Sequence, residues 1–131
     1  MKLLVDDRER KVLNSLLESN GIECEVQRLK TGDYISNEIC IERKTIDDFC
    51  SSILDGRLKK QVERMKKEFK HCFILISGSI CDRKSNIKER SVLGKIVSLV
   101  VKHNVKIIMV DNDEQMAFAI TRIIERLNNN K

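Results

Sequence analysis

Apolar positions along this chain follow two periods. Short runs at Leu3–Val5, Ile39–Ile41, Cys72–Ile76 and Val105–Val110 have the length of strands, and between them apolar residues recur at spacings of three and four. Lys2–Val5 predicts a short buried strand. Lys11–Ser19 predicts a helix with Val12, Leu16 and Leu17 inward, ended by Asn20-Gly21 as by a C-cap. Ile22–Leu29 alternates as a strand does. Tyr34-Ile35 and Ile39–Arg43 predict a hairpin across Ser36-Asn37-Glu38. Thr45 predicts the N-cap of a helix through Ile53, with Asp47 and Asp48 in its first turn, where the helix dipole favours carboxylates. Arg57–Lys70 carries Leu58, Val62, Met65 and Phe69 on one helical face. Cys72–Ser77, closed by Gly78, predicts a central strand buried on both faces, and Val105–Val110 a second buried strand. Ser91–Lys102 predicts a helix with Val92, Ile96, Leu99 and Val100 inward. Asn112 or Asp113 caps a last helix to Leu127, and the tail from Asn128 to Lys131 is expected to fray.

Strands alternating with helices predict an α/β fold, a mixed central sheet flanked by helices on both faces. The 131 residues suit one domain spanning 1–131, with no repeat, low-complexity segment or proline to mark a linker. The apolar runs are too short to cross a bilayer, and Met1–Val5 runs straight into acidic residues, unlike a signal peptide. Five cysteines, at 24, 40, 50, 72 and 81, form no Cys-x-x-Cys pair, and only two histidines accompany them. That set argues against zinc and reads as free thiols in a reducing compartment, cytoplasm or nucleus, not secreted. The net charge of +5 leans toward polyanionic partners.

The chemistry concentrates between Asp33 and Asp48. Glu42 and Lys44 are two apart, so on a strand they share a face while Arg43 points away. A hairpin brings Asp33 alongside Glu42. Two hard oxygen ligands beside a cation suit Mg²⁺ or Mn²⁺ and phosphodiester hydrolysis, with Lys44 offsetting transition-state charge. Arg43 is either a phosphate clamp or, like Lys44, a partner for Asp48. Asp6, Arg8 and Glu9 follow the first strand and should emerge at its carboxyl end, where open α/β sheets place their sites. Asp6 is a further candidate ligand, and Arg8 a candidate for the scissile phosphate. The alternative for Asp7 and Glu9 is a capping cluster before the first helix. Arg57–Lys70 holds basic residues at 57, 59, 60, 64, 66, 67 and 70 against Glu63 and Glu68. Lys59, Lys60, Lys66 and Lys67 are candidates for the DNA backbone, against the plainer reading of a solvated face.

Asp6-x-Arg8-Glu9, Gly32-Asp33, Glu42-Arg43-Lys44-x-x-x-Asp48 and Asp55-Gly56-Arg57-Leu58-x-x-Gln61 occur in this order. Together they resemble the nuclease domain of the XPF-type structure-specific DNA endonucleases, a family that includes the archaeal Hef nucleases. The resemblance implies a restriction-endonuclease-like fold, cleavage of branched DNA such as 3′-flaps and forks in repair, and the Arg43 carbonyl as a further metal ligand. It also implies that Arg57 and Gln61, four apart on one helix face, lie over the site. Family members usually carry a C-terminal helix-hairpin-helix pair, absent from these 131 residues. The alternative is a non-catalytic fork-binding or partner subunit, in which losses among Asp33, Glu42, Lys44 and Asp48 would be expected; all four are present. The family also pairs with a copy or a paralogue. The wide stripe Met116, Ala119, Ile120, Ile123, Ile124 and Leu127, with the apolar Ser91–Lys102 helix, is the expected dimer face.

Overall fold

The computed structural model describes residues 1–129. The strands are β1 (Lys2–Asp6), β2 (Glu23–Gln27), β3 (Tyr34–Ser36), β4 (Ile39–Thr45), β5 (His71–Ser77) and β6 (Lys106–Val110). The helices are α1 (Lys11–Ser19), α2 (Ile46–Leu54), α3 (Arg57–Glu68), α4 (Glu89–Val101) and α5 (Asp113–Asn129), with one 3₁₀ turn at Ile80–Asp82. One mixed six-stranded sheet runs in the order β2-β1-β3-β4-β5-β6. The short β3 pairs antiparallel with both β1 and β4, while β1–β2, β4–β5 and β5–β6 are parallel.

Each face of the sheet builds its own core. Leu3, Val5, Ile39, Ile41 and Leu75 meet α1 and α5 on one side. Cys40, Cys72, Ile74 and Ile76 meet α2, α3 and α4 on the other. Alternation along β4 and β5 divides the two sets, so the flanking of a mixed sheet on both faces holds as expected.

Local signals act where the sequence puts them. Thr45 Oγ1 accepts the Asp48 N–H at 3.1 Å and starts α2. Asn112 Oδ1 accepts the Gln115 N–H at 2.8 Å and starts α5. Asn37 turns the hairpin at φ 53°, a conformation asparagine tolerates.

Several expectations need correcting. In α1 the inward residues are Leu13 and Leu17, while Val12 is exposed, because Val12-Leu13 and Leu16-Leu17 permit two helical phases. Val100 likewise faces out of α4. The strand β6 is the sheet's edge rather than a second fully buried strand, and Met109 is exposed on it. A continuous apolar run does not tell an edge strand from a central one. Asn128 is not frayed: it accepts from Asn37 and donates to Ser36 Oγ, each at 3.0 Å. Asn130 and Lys131 lie outside the described residues.

The dimer assignment on α5 changes most. Ile120 and Ile124 are completely buried, and Ile123 nearly so, in the core shared with α1 and the sheet. Leu127 packs at the margin of that core. The stripe is wide because α5 meets both α1 and the sheet, and it leaves Ile120, Ile123 and Ile124 no interface to form.

Candidate active site

Tyr34 pairs with Ile41, which places Asp33 opposite Glu42 on the α3 side of the sheet. Backbone bonds hold Asp33 there. Its N–H donates to the Ile41 carbonyl, and its carbonyl accepts from the Asp6 N–H, both at 2.9 Å. Its Oδ2 accepts the Arg43 N–H at 2.8 Å. The preceding Gly32 sits at φ +77°, and a Cβ there would lie 2.5 Å from Cys40 Sγ. Only glycine satisfies both the left-handed backbone and the close approach.

The Asp33 and Glu42 carboxyls face each other closely enough for each to perturb the other. Burial, then the charges of Glu42 and Glu9, push Asp33 up to about 9. Burial also raises Glu42, although Asp33, Lys44 and Arg64 oppose the rise. The metal-free pair therefore holds a proton at neutral pH. Lys44 leaves β4 on the Glu42 face and is buried at 5% exposure. Among the described residues its ammonium makes no ion pair.

Asp33 and Glu42, but not Lys44, line a cavity of about 370 Å³ together with Asp6, Arg8, Glu9, Gln61 and Arg64, with Lys30 and Thr31 at one side. Gln61 Oε1 is buried and without a hydrogen-bond partner among the described residues. Gln61 and Arg64 reach the cavity from one flank of α3. Arg64 was one of seven basic positions in a run and nothing singled it out. Its spacing of three from Gln61 is the signal that could have done so. Lys30 and Thr31 had no such signal, being loop residues before Gly32.

Other candidates have different parts. Asp6 is held by Arg8 Nε at 2.8 Å, Arg8 Nη2 at 3.1 Å and the Leu29 N–H at 3.0 Å. Burial works to raise its carboxyl, but these donors keep it below its ordinary value. Asp6 thus anchors Arg8 and the Leu29 loop rather than serving as a free metal ligand. Arg8 also donates to the Leu29 carbonyl at 3.1 Å and stays largely exposed at the cavity wall. Arg43 does not reach Asp48: its Nε donates to Glu9 Oε1 at 2.8 Å on the sheet's other side. Asp48 is exposed, because the α2 cap at Thr45 turns it outward; among the described residues neither Arg43 nor Lys44 bonds to it. Arg57 pairs with Asp55 at 2.7 Å and does not line the cavity, unlike Gln61. Lys60 is exposed on α3, and Lys59, Lys66 and Lys67 lie on the far flank of that helix. Among the described residues, no three His, Cys, Asp or Glu side chains form a complete metal cage. None of the helices there is long and apolar enough to cross a membrane.

A mixed sheet flanked by helices, with two half-buried carboxylates and a lysine beside a hairpin, defines an α/β domain with an acidic centre. The ERCC4 domain family model matches residues 5–123, and this chain belongs to that family. The 3′-flap repair endonuclease Xpf of Saccharolobus solfataricus is 27% identical over 129 residues, covering 96% of this chain and 55% of that protein. A Methanocaldococcus jannaschii protein named for an ATP-dependent RNA helicase is 32% identical over 127 residues, of whose length the chain spans 16%. The structure of XPF from Aeropyrum pernix superposes with a TM-score of 0.90 at 30% identity, over 100% of this chain and 66% of that one. Its complex with DNA gives 0.88 over 98% and 64%.

Proposed function

We propose that this chain is the nuclease unit of a metal-dependent enzyme that hydrolyses phosphodiesters in branched DNA, such as flaps and forks. The observation that carries this reading is Asp33 facing Glu42 across the β3–β4 hairpin, with Lys44 on the same strand face. Two half-buried hard-oxygen donors that repel each other when both are ionised fit Mg²⁺ or Mn²⁺ well. The unpartnered Gln61 Oε1 in the same cavity adds a further polar group. Asp33 and Glu42 would hold the ion, which supplies Lewis-acid polarisation of a phosphoryl oxygen when bound.

The remaining residues bind and orient. Lys44 offsets negative charge as it develops on the phosphate. Arg8, Lys30 and Arg64, all on the cavity wall, attract the phosphates beside the scissile one. Glu9 holds Arg43, and through it the backbone N–H that fixes Asp33. The flap-repair name of the Saccharolobus relative and the DNA in the Aeropyrum complex support branched DNA as the substrate class.

Cleavage of end-labelled duplex, flap and fork substrates, with Mg²⁺ or with EDTA, tests the reading. Metal-dependent cutting that prefers the branched substrates is expected, and Asp33→Asn or Glu42→Gln should abolish it. Fork binding without any cutting would instead make the chain a non-catalytic subunit.

Pairing of two chains, as homodimer or with a paralogue, is proposed on α4 instead of α5. Leu93, Val97, Val100 and Val101 are exposed at spacings that form one stripe, and Val101 is 77% exposed. Two copies meeting along this stripe would bury it.

A further inference from the structure

Helix α3 has a second flank, and the site does not use it. Gln61 and Arg64 edge one side of its buried Leu58–Val62–Met65 face, while Lys59 and Lys66 edge the other. Beyond them lies a groove of about 660 Å³ between α3 and α4. Lys59, Lys66 and Lys67 line it from α3, and Lys95 and Lys102 from α4 and its end. Glu63 is the acidic residue among its lining. Among the described residues none of the five lysines makes an ion pair, so the groove's positive charge is largely uncompensated. Lys66 Nζ meets only the Asn104 carbonyl, at 3.5 Å. A helix is roughly 10–12 Å across, so the groove and the carboxylate cavity stand about one helix apart.

We propose that this groove takes the phosphodiester backbone of a second arm of the branched substrate. In that arrangement α3 is the wedge between the arm being cut and the arm being held. This rests on the reading of the site as a nuclease of branched DNA. Lysines suit the task because they meet a flexible row of phosphates as point charges without demanding one geometry. The two opposing rows, from α3 and α4, match a strand lying along the groove better than a single anion, for which five separate cations would be redundant. Lys95 and Lys102 belong to no motif of the nuclease centre, so the groove can be altered without touching Asp33, Glu42 or Lys44.

Fluorescence anisotropy of the 131-residue chain in EDTA, at several salt concentrations, would compare a labelled fork with a linear duplex as long as its longest arm. The unaltered chain should bind the fork more tightly. Lys95→Glu combined with Lys102→Glu should bring fork affinity down to the duplex value and lower the fork's salt slope by about two, with the duplex unchanged. The Lys→Arg pair should keep the preference. Equal weakening on both DNAs would make these lysines general electrostatics and overturn the proposal. No change on either would overturn it too and leave the groove to an acidic protein partner. Equal binding of fork and duplex by the unaltered chain would instead sink the branched-substrate reading itself, and the groove's role with it.

Discussion

Arg43 and Glu9, thirty-four positions apart, close an ion pair of 2.8 Å between two largely buried side chains. Burial works to lower the Arg43 guanidinium, but the Glu9 bond and charge raise it on balance. The pair ties the end of β1 to the middle of β4, the two strands between which Asp33 hangs. Removing the arginine strands an anion in a dry place. Arg43→Ala should cost on the order of 3 kcal/mol in urea unfolding, and Glu9→Gln distinctly less. If Arg43→Ala lost cleavage with no loss of stability, Arg43 would be a catalytic group and not a strut.

The carboxylate pair predicts an unusual pH response. Asp33 keeps its proton in the fold up to about 9, against an ordinary 3.8. The unfolded chain releases that proton from about pH 4 upward, so this group's contribution erodes as pH rises across that window. In EDTA, thermal stability should fall from acid toward pH 8, and Mn²⁺ should restore it. Asp33→Asn should flatten the fall and stabilise the metal-free chain by about 1–3 kcal/mol while ending Mn²⁺ binding. A metal-free melting curve insensitive to pH would refute the shared proton.

Lys44 tests the division of labour between binding and chemistry. Lys44→Met keeps the buried stem and deletes the charge. It should bind Mn²⁺ in calorimetry as the unaltered chain does, yet cut ~10²–10³ more slowly. Lost Mn²⁺ binding would mean that the lysine holds the site together instead.

Gly32→Ala meets two penalties, a positive φ and the Cys40 thiol. Adding Cys40→Ala should remove the steric part and leave the backbone part. A double-mutant cycle should therefore show positive coupling, with the single variant destabilised by about 1–3 kcal/mol. Strict additivity would place the whole cost in the backbone.

The α4 stripe can be broken without disturbing the core. Val97→Glu with Val101→Glu should give a soluble monomer whose metal site is intact, as Mn²⁺ titration would show. Light scattering that finds the unaltered chain monomeric at micromolar concentration would remove the stripe as an interface.

How much of this was legible depends on the distance over which each signal acts. The hairpin could be read because Asn37 suits a turn, and apolar Tyr34-Ile35 and Ile39–Ile41 demand pairing. Pairing them puts Asp33 opposite Glu42 with no further information. The shared face of Glu42 and Lys44 followed from the pleat alone. Arg43–Glu9 could not be read, because nothing periodic links two residues that meet across separate strands. Arg43 was therefore assigned either to a phosphate or to Asp48, its neighbour in sequence, which the α2 cap turns outward. The α5 stripe was read as excess because the sequence does not reveal that α1 lies against it. Asp6 looked like any carboxylate at a strand end until Arg8 and Leu29 were seen to occupy it.

The two-residue turn at Asn37-Glu38 has a consequence for how this domain can vary. Asp33 and Glu42 face each other only through the β3–β4 register, which that turn sets. One inserted residue would slide β3 along β4 and swap its faces, sending the aspartate to the side where Arg43 lies. Side chains on the helices around the cavity can change without altering the distance between the two charges. The number of residues in the turn cannot, so the spacing of this pair is kept as a chain length.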